Sequence, residues 1–298
     1  MLRDRKPFHF IKLRKIWYSI SIVILLAGMI SLFTKGLNLG IDFTGGSLLD
    51  VRFSQSTSVE QVRDVLHSFE LADATIQRSG ETDFIIKTKE LTEEENAAVV
   101  AALDSQLGGL TVLRTERVGP VIGKELIANA IYALLIASVL MIIYISWRFE
   151  FKQGIAAVLG LLHNVFVVLG VFSLLQVEID SAFVAAILTV IGYSINDTIV
   201  IFDRIRENLL NKKKGEVLED VINSSLWQTM ARSINILITI EMVLVALLLL
   251  GGSTLYAMVL ALLIGITCGV YSSICVASPL WYDLKKTELH GKQKPARA

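Results

Sequence analysis

Long apolar runs, separated by polar segments, dominate the pattern along this chain. A helix needs about 20 apolar residues to cross a hydrocarbon core of about 30 Å. The runs that meet this length predict membrane-spanning helices over residues 16–34, 126–147, 154–175, 182–202, 233–250 and 255–280. The first run is long, and the following "TKGLNLG" lacks the small-residue pattern of a signal-peptide cleavage site. The pattern therefore predicts a polytopic α-helical membrane protein with six spans.

The polar stretch between the first two spans, residues 35–125, has the pattern of a small α+β domain. "SLLDVRF" alternates as a strand, a helix follows Ser58, and "DATIQRS" and "TDFIIKTK" are two strands joined around Gly80. A second helix begins at Thr92, which has the capping-box spacing to Glu95, and "LTVLRTERV" is the last strand. The order β-α-β-β-α-β is the ferredoxin-like pattern. Nothing in it has a catalytic pattern, which favours a structural or protein-contacting module.

Composition and charge agree with a membrane protein and indicate its orientation. The 298 residues are 53% hydrophobic, the mean hydropathy is +0.60, and the net charge is zero, so charge offers no argument for binding nucleic acid. The short loops "QVEID" and "GGST" contain no Lys or Arg, whereas the opposite connections and both termini are basic. The positive-inside rule therefore predicts cytoplasmic termini and an outward-facing domain. The basic residues are Arg3, Arg5, Lys6, Lys12, Arg14, Lys15, Arg148, Lys152, Arg204, Arg206, Lys212, Lys213, Lys214, Arg232, Lys285, Lys286, Lys292, Lys294 and Arg297.

These patterns divide the chain into parts. We predict a cytoplasmic N-terminus with the first span (1–34), an extracytoplasmic domain (35–125), a bundle of the remaining spans (126–280) and a cytoplasmic tail (281–298). Within the bundle, residues 203–232 form a cytoplasmic connector. Its apolar residues predict an amphipathic segment whose apolar face lies on the membrane. They are Leu209, Leu210, Val217, Leu218, Val221, Ile222, Leu226 and Trp227.

Asp197 interrupts the fourth span, within "GYSINDTIVIF". A carboxylate at the centre of a helix in lipid costs about 2.5–3.5 kcal/mol on insertion scales, so its presence calls for a function or a partner. Tyr193, Ser194 and Asp197 share one helical face, since positions three and four apart stack, and Asn196 lies beside them. Such a polar stripe predicts that the fourth span faces the interior of a helix bundle.

A carboxylate at this depth can be neutralised by a proton or paired with a cation. The nearest candidate cation is Arg232, just before the fifth span, with Asn235 on the same helical face. Protonation of Asp197 would break such a pair, which makes it a two-state element that a proton can bias. One charge crossing a potential of 100 mV releases about 2.3 kcal/mol, enough for a few protons to drive a conformational change. The alternative is a static ion pair that only orders helix packing.

Two further polar residues lie within predicted spans. His163, next to Asn164 in the third span, is either a hydrogen-bonded packing residue or part of a proton relay. Glu241, in the middle of the fifth span, is either protonated and hydrogen-bonded to a neighbour or part of the same proton movement. Cys268 and Cys275 lie too far apart along one helix for a disulfide. We expect no metal site and no cofactor, because neither metal-ligand spacing nor a nucleotide motif is present.

The segment "GIDFTGG" follows the first span and is rich in glycine. It lacks the Lys-Ser/Thr of a phosphate-binding loop, so we interpret it as a hinge between the first span and the first strand. In such a role it would convert motion of a helix into motion of the outer domain. The hinge residues are Gly40, Asp42, Thr44, Gly45 and Gly46.

Five segments together resemble SecF-type subunits of the SecD/SecF family of bacterial protein-export membrane proteins. They are "LGIDFTGGSLLDVRF", "RVGPVIGKEL", "GYSINDTIVIFDRIREN", "ARSIN" and "YSSICVASPLWYDL", and they occur in the family's order over about residues 15–285. Each motif is weak alone, and their common order makes the resemblance specific.

The resemblance implies an RND-superfamily half with six spans and a ferredoxin-like outer domain in the bacterial cytoplasmic membrane. It implies SecD and the SecYEG channel as partners, with preproteins delivered by SecA and with protons as the driving ion. In the family, the residues that match Asp197 and Arg232 are linked to proton conduction, opposite an aspartate of SecD. Relatives often carry Asp where this chain has Asn164, and Thr where it has Ile236, and Glu241 is an addition.

Two other functions remain open from the residues. A half-unit of an RND-type exporter of small molecules or lipids would also hold an intramembrane carboxylate, although larger outer domains and more spans per chain are expected there. An intramembrane enzyme would use Asp197 as a protease carboxylate, which requires a second carboxylate in a matched site.

Overall fold

The computed structural model describes residues 8–78, 80–212 and 215–292. Some of the basic residues that entered the orientation argument lie outside this part of the chain: Arg3, Arg5, Lys6, Lys213, Lys214, Lys294 and Arg297. The chain forms two compact units, which are described separately. The helical bundle contains the residues up to Asn38, Ala133–Val177 and those from Ala182 onward. The outer domain contains Leu39–Tyr132 together with Glu178–Ser181.

The described residues form α-helices, one π-helical turn and four strands. The helices are α1 (Arg14–Thr34), α2 (Ile41–Thr44), α3 (Val59–His67), α4 (Glu93–Gln106), α5 (Pro120–Arg148), α6 (Phe151–Leu175), α7 (Ser181–Leu210), α8 (Leu218–Leu250), α9 (Ser253–Ser272) and α10 (Ser278–Lys292). The π-helix, Ser273–Ala277, joins α9 to α10. The strands are β1 (Gly46–Phe53), β2 (Thr75–Arg78), β3 (Asp83–Thr88) and β4 (Leu110–Val118).

The outer domain has the predicted order β-α-β-β-α-β, and its antiparallel sheet has the strand order β2-β3-β1-β4. Alternation along the strands explains the sheet, because Leu49, Val51 and Phe53 of β1 are buried on the same face. Phe84 and Ile86 of β3 pair with this set and complete the core beneath α3 and α4. The ferredoxin-like fold predicted from the sequence is confirmed.

The helices α3 and α4 of the outer domain each begin with a complete capping box. The Ser58 hydroxyl accepts from the Gln61 backbone N–H at 3.2 Å, while the Gln61 side chain accepts from the Ser58 backbone N–H at 2.8 Å. Thr92 and Glu95 make the same reciprocal pair at the start of α4, as their spacing predicts. Each cap satisfies amide groups that the first turn of a helix leaves unpaired.

The bundle unit and α5 supply six helical segments that are long and apolar enough to cross a membrane. They confirm the six predicted spans, although the helices extend beyond the apolar runs. The fourth continues to Leu210, the fifth begins at Leu218, and the sixth runs through the π-helix from Thr254 to Thr287. Hydropathy detects only the apolar part of a helix, and the polar ends of these helices lie outside that part.

The apolar face predicted for the connector is buried in the bundle, so its placement on the membrane surface was wrong for most of its residues. Ile222 and Leu226 are fully buried with Phe202 and Trp281 in one hydrophobic cluster. An apolar stripe on a helix packs wherever another apolar surface is available, and here α7 and α10 supply that surface. Leu210 and Val217 are the members that remain exposed.

Small residues allow α1 and α6 to pack closely. A Cβ added at Gly28 would meet the Gly170 Cα at 2.9 Å, so the two backbones touch at this crossing. One turn further along each helix, Ser31 and Ser173 share a hydrogen bond of 2.8 Å. Paired small residues with a hydroxyl contact are typical of helix packing in membranes, where apolar burial provides little attraction between helices.

Candidate functional site

Asp197 lies near the middle of α7 and is held by α8. The Ser233 hydroxyl donates to Asp197 Oδ1 at 2.5 Å. The other oxygen, Oδ2, is buried and has no hydrogen-bond partner among the described residues. An ionised carboxylate normally accepts several hydrogen bonds, so a single donor leaves this group short of hydrogen-bond partners. Binding of a proton would change the contacts that the carboxyl group can make.

Arg232 lies beside this contact without closing an ion pair. Its charge acts on Asp197, yet their N and O atoms do not approach within the 4.0 Å limit for an ion pair in the described structure. Arg232, Asn196 and Asn235 are exposed on the surface of this chain, and Tyr193 is half-buried. Within the predicted polar stripe, only Ser194 is fully buried inside the bundle. The other residues of the stripe are partly or fully exposed on this chain.

A buried polar network continues from α7 into two neighbouring helices. The Asn164 amide donates to the Ser194 hydroxyl at 2.7 Å, and its oxygen contacts His163 Nδ1 at 3.3 Å. On the other side, the hydroxyls of Thr198 and Ser273 share a hydrogen bond of 2.7 Å. Ser194 and Thr198 flank the aspartate on α7, so this network holds the helix against α6 and the π-helix.

Three members of the site were not singled out from the sequence: Ser233, Thr198 and Ser273. The signal for Ser233 was its place directly after Arg232 in "ARSIN". Ser273 begins the π-helix, where Ser278 donates its hydroxyl to the Ser273 carbonyl at 2.8 Å. A π-turn within a span that is almost uniformly apolar leaves no distinct signal in the sequence, which explains why the sequence pattern did not reveal it. Such turns are frequent at functional sites.

The remaining predicted polar residues lie in separate places. Glu241 accepts a hydrogen bond of 2.9 Å from the Thr267 hydroxyl and thereby joins α8 to α9. His163 is buried, and its Nε2 has no hydrogen-bond partner among the described residues. The two cysteines are free thiols. Within the described ranges, no group of three or more His, Cys, Asp or Glu side chains is arranged to hold a metal ion.

The glycine-rich segment forms the short helix α2 between two turns. Gly45 and Gly46 have φ angles of 73° and 133°, which residues other than glycine rarely adopt. A Cβ at Gly46 would also lie 2.4 Å from the Thr88 carbonyl oxygen. The Thr44 hydroxyl donates to the Gly40 carbonyl at 3.1 Å and closes the turn. Glycine is therefore required here by both the backbone conformation and a close approach.

Charged residues on the outer domain pair locally. Arg52 donates two hydrogen bonds to Asp83, at 2.7 and 2.8 Å, and the resulting contact lowers the pKa of that carboxyl. Burial raises the pKa of the neighbouring Asp50, and the nearby charge of Asp83 adds to the effect. The backbone hydrogen bond from Thr92 lowers the pKa of Glu95. These are pairs that stabilise strands and a helix cap, in agreement with a structural domain.

Six membrane-length helices, an outer ferredoxin-like domain after the first, and an ionisable group held inside the bundle define a polytopic membrane protein of the transport class. The chain belongs to the SecD/SecF family of protein-export membrane proteins. The family model for the C-terminal part of SecD/SecF matches residues 99–287, and that for the SecD/SecF GG motif matches residues 30–57. The resemblance seen in the sequence is thus confirmed.

Relatives and solved structures agree with this assignment. The chain is 43% identical to protein translocase subunit SecF of Acidaminococcus fermentans, over 94% of this chain and 98% of that protein. It is 41% identical to SecDF of Bacillus subtilis, over 95% of this chain and 39% of the relative. The crystal structure of SecDF, a translocon-associated membrane protein from Thermus thermophilus, matches with a TM-score of 0.87 at 35% identity, over 95% of this chain and 39% of that one.

A second SecDF structure, in the super-membrane-facing form, matches with a TM-score of 0.70 and 35% identity, over 97% of this chain. The chain spans about two fifths of each SecDF chain and nearly the whole of the SecF relative. It is therefore a multi-pass translocase subunit of the SecF/SecDF type, with a role in transport rather than in catalysis.

Proposed function

We propose that this chain works with SecD in the bacterial cytoplasmic membrane and uses the proton motive force to promote preprotein translocation. SecA would deliver the preproteins through the SecYEG channel, and the chain would act on them at the outer face. The observation that carries this proposal is the Asp197 carboxylate, which has one oxygen bonded to Ser233 and the other buried without a partner. The distribution of Lys and Arg supports cytoplasmic termini.

A proton changes this site in two ways. Ionised Asp197 accepts the Ser233 hydrogen bond and attracts the nearby Arg232 charge. The protonated acid loses that attraction and gains an O–H donor that needs a new acceptor. Because the two forms favour different partners, proton uptake from one side and release to the other can alternate two positions of α7 against α8. Each proton crossing 100 mV contributes about 2.3 kcal/mol to that change.

The outer surface of the same helices supports SecD as a partner. Asn196, Arg232 and Asn235 are exposed on this chain within segments of membrane length. Polar side chains at membrane depth avoid lipid and face protein or a water-filled cavity. In the SecDF relatives, a segment similar to this chain is part of a longer chain. A SecD subunit covering this face would enclose the proton site between the two proteins.

The experiment that tests proton coupling is preprotein export by a strain whose only copy carries Asp197→Asn. The Asn oxygen can still accept from Ser233, whereas the titrating charge is lost. We expect export to fall to the level of a strain without the protein, while the variant accumulates in the membrane and binds SecD. Energised membrane vesicles, with and without an uncoupler, measure the part of export that depends on the proton gradient.

The matched control is Glu241→Gln, which also removes a carboxylate from a membrane-spanning helix. The Gln oxygen preserves the acceptor for Thr267, and Glu241 lies outside the Asp197–Ser233 contact. We expect export close to that of the unmodified chain. Normal export by Asp197→Asn would make Asp197 a packing residue and would contradict the proposal, and the proton path would then have to be sought in SecD, at His163 or at Glu241.

We further propose that the glycine-rich segment Gly40–Gly46 is the joint through which motion of α1 reaches the outer domain. Its position between α1 and β1 supports this role, because any displacement of α1 must pass along it. Gly45 and Gly46 have positive φ angles, and a residue with a side chain at either position would disturb this backbone conformation.

A further inference from the structure

The loop before α7 is attached to the glycine-rich segment by backbone contacts. Leu39 and Ile179 form a parallel β-bridge, and the Gly40 N–H donates to the Ile179 carbonyl at 2.8 Å. Ile179 is buried, and Glu178–Ser181 belongs to the same compact unit as the outer domain. The start of α7 is therefore packed as part of that domain.

Gly40 is required for this attachment. A Cβ added there would lie 2.7 Å from Glu178 Oε1 and 3.0 Å from the Ile179 carbonyl oxygen. Its φ angle is −72°, which any residue can adopt. The glycine is thus explained by close approach of the two segments and not by backbone freedom.

Asp42 caps the first turn of α7. Its Oδ2 accepts from the Ser181 backbone N–H at 2.8 Å. The first amide groups of a helix lack partners within the helix, and a carboxylate at that end also interacts favourably with the helix dipole. The glycine-rich segment is therefore also attached, through the Asp42 side chain, to the first residue of the helix that carries Asp197.

An ion pair joins the same loop to the sheet. Lys87 of β3 donates to Glu178, and only 12% and 25% of the two side chains are exposed. Thr88, the next residue of β3, has its carbonyl against Gly46. The sheet, the glycine-rich segment and the loop before α7 are thus joined to one another pairwise.

We propose that Gly40, Asp42, Lys87, Glu178, Ile179 and Ser181 form a clasp that stays closed throughout the transport cycle. The clasp makes the outer domain and the first turn of α7 one mechanical unit. Asp197 lies 16 residues further along the same helix, about 24 Å at the rise of an α-helix. A displacement of α7 at the proton site is then passed directly to the outer domain. This inference rests on the proposed proton-driven function.

The first test locks the clasp with a disulfide. Paired residues of a β-bridge lie within disulfide reach, so Leu39→Cys with Ile179→Cys can be oxidised in full-length chain that also carries Cys268→Ala and Cys275→Ala. We expect export by SecD-containing vesicles to be the same before and after oxidation. A clasp that stays closed throughout the cycle loses no motion when a disulfide fixes it. Loss of export on oxidation that reduction restores would show that the clasp opens, and would overturn the proposal.

The second test breaks the clasp by charge reversal. Lys87→Glu or Glu178→Lys places like charges in a mostly buried contact, and we expect gradient-driven export to fall about tenfold or more. The remaining export should no longer respond to an uncoupler. The double variant Lys87→Glu/Glu178→Lys restores opposite charges and should recover both the rate and the uncoupler response. A structural role alone would change membrane abundance and leave the uncoupler response intact.

Export by the Asp197→Asn variant is measured in parallel, to separate the clasp from the proposed proton-driven function. If Asp197→Asn abolishes gradient-driven export while both single charge reversals retain it, the clasp is refuted and the proton site stands. If Asp197→Asn exports normally, the proposed function fails, whatever the clasp variants do.

Discussion

At the scale of single residues, a shift of one position along α8 decides what Asp197 contacts. Arg232 is the obvious cation in the sequence, but Ser233 makes the hydrogen bond. Neighbouring residues of a helix point about 100° apart, so only one of the two can face α7 directly. A neutral donor leaves the carboxylate less firmly held than an ion pair would. That weaker hold suits the proposed function, in which Asp197 gains and loses a proton during each cycle.

The role of Ser233 predicts a graded loss. Ser233→Ala removes a hydrogen bond to a charged group, a contribution of about 1.5–3 kcal/mol. We expect gradient-driven export between that of the unmodified chain and that of Asp197→Asn, with a shifted dependence on pH. Ser233→Thr keeps the hydroxyl and should restore export. Equal pH profiles for Ser233→Ala and the unmodified chain would exclude Ser233 from the site.

At the scale of elements, glycine controls how closely backbones approach. Gly28 and Gly170 bring α1 against α6, and Gly46 brings the first strand against the carbonyl of Thr88. The second case matters for function because Gly46 belongs to the proposed joint. Its requirement is stricter as well, since both the positive φ and the nearby carbonyl exclude a side chain.

Gly46→Ala should therefore impair export without preventing membrane insertion. The added Cβ would force the start of β1 away from Thr88 and distort the joint. Gly119→Ala is the matched control, because nothing lies within 4 Å of its added Cβ. Export rate and membrane abundance are measured for both variants. Full export by Gly46→Ala, with or without Gly45→Ala, would remove the joint from the mechanism.

At the scale of the whole molecule, the helix face next to Asp197 is exposed on this chain, although the carboxylate itself is held inside the bundle. The neighbouring Asn196 and Asn235 are exposed on this chain, and a Cβ at Gly192 would meet nothing within 4 Å. In a membrane, polar side chains on such a surface face another protein or a water-filled cavity. Under the proposed function, this chain carries half of the site and SecD supplies the other half.

This view predicts that a large side chain at position 192 weakens association with SecD and leaves the folding of this chain unchanged. Gly192→Leu has room within this chain, so we expect normal abundance and unchanged thermal stability in detergent. Co-purification of SecD should fall sharply, because the leucine occupies space that the partner needs. Leu135→Phe, which adds bulk to an exposed residue of α5, is the control. Undiminished recovery of SecD with Gly192→Leu would place the interface on another face.

The sequence by itself determined the spans, the outer domain and both helix caps, because each depends on local periodicity or on residues three positions apart. It also identified Asp197, since a carboxylate within an apolar run stands out without any structure. Tertiary structure decided the rest: the choice of Ser233 over Arg232, the burial of the connector and the contact of Asp42 with Ser181. These contacts join residues far apart in the chain, and they depend on helix rotation and packing, which no local pattern encodes.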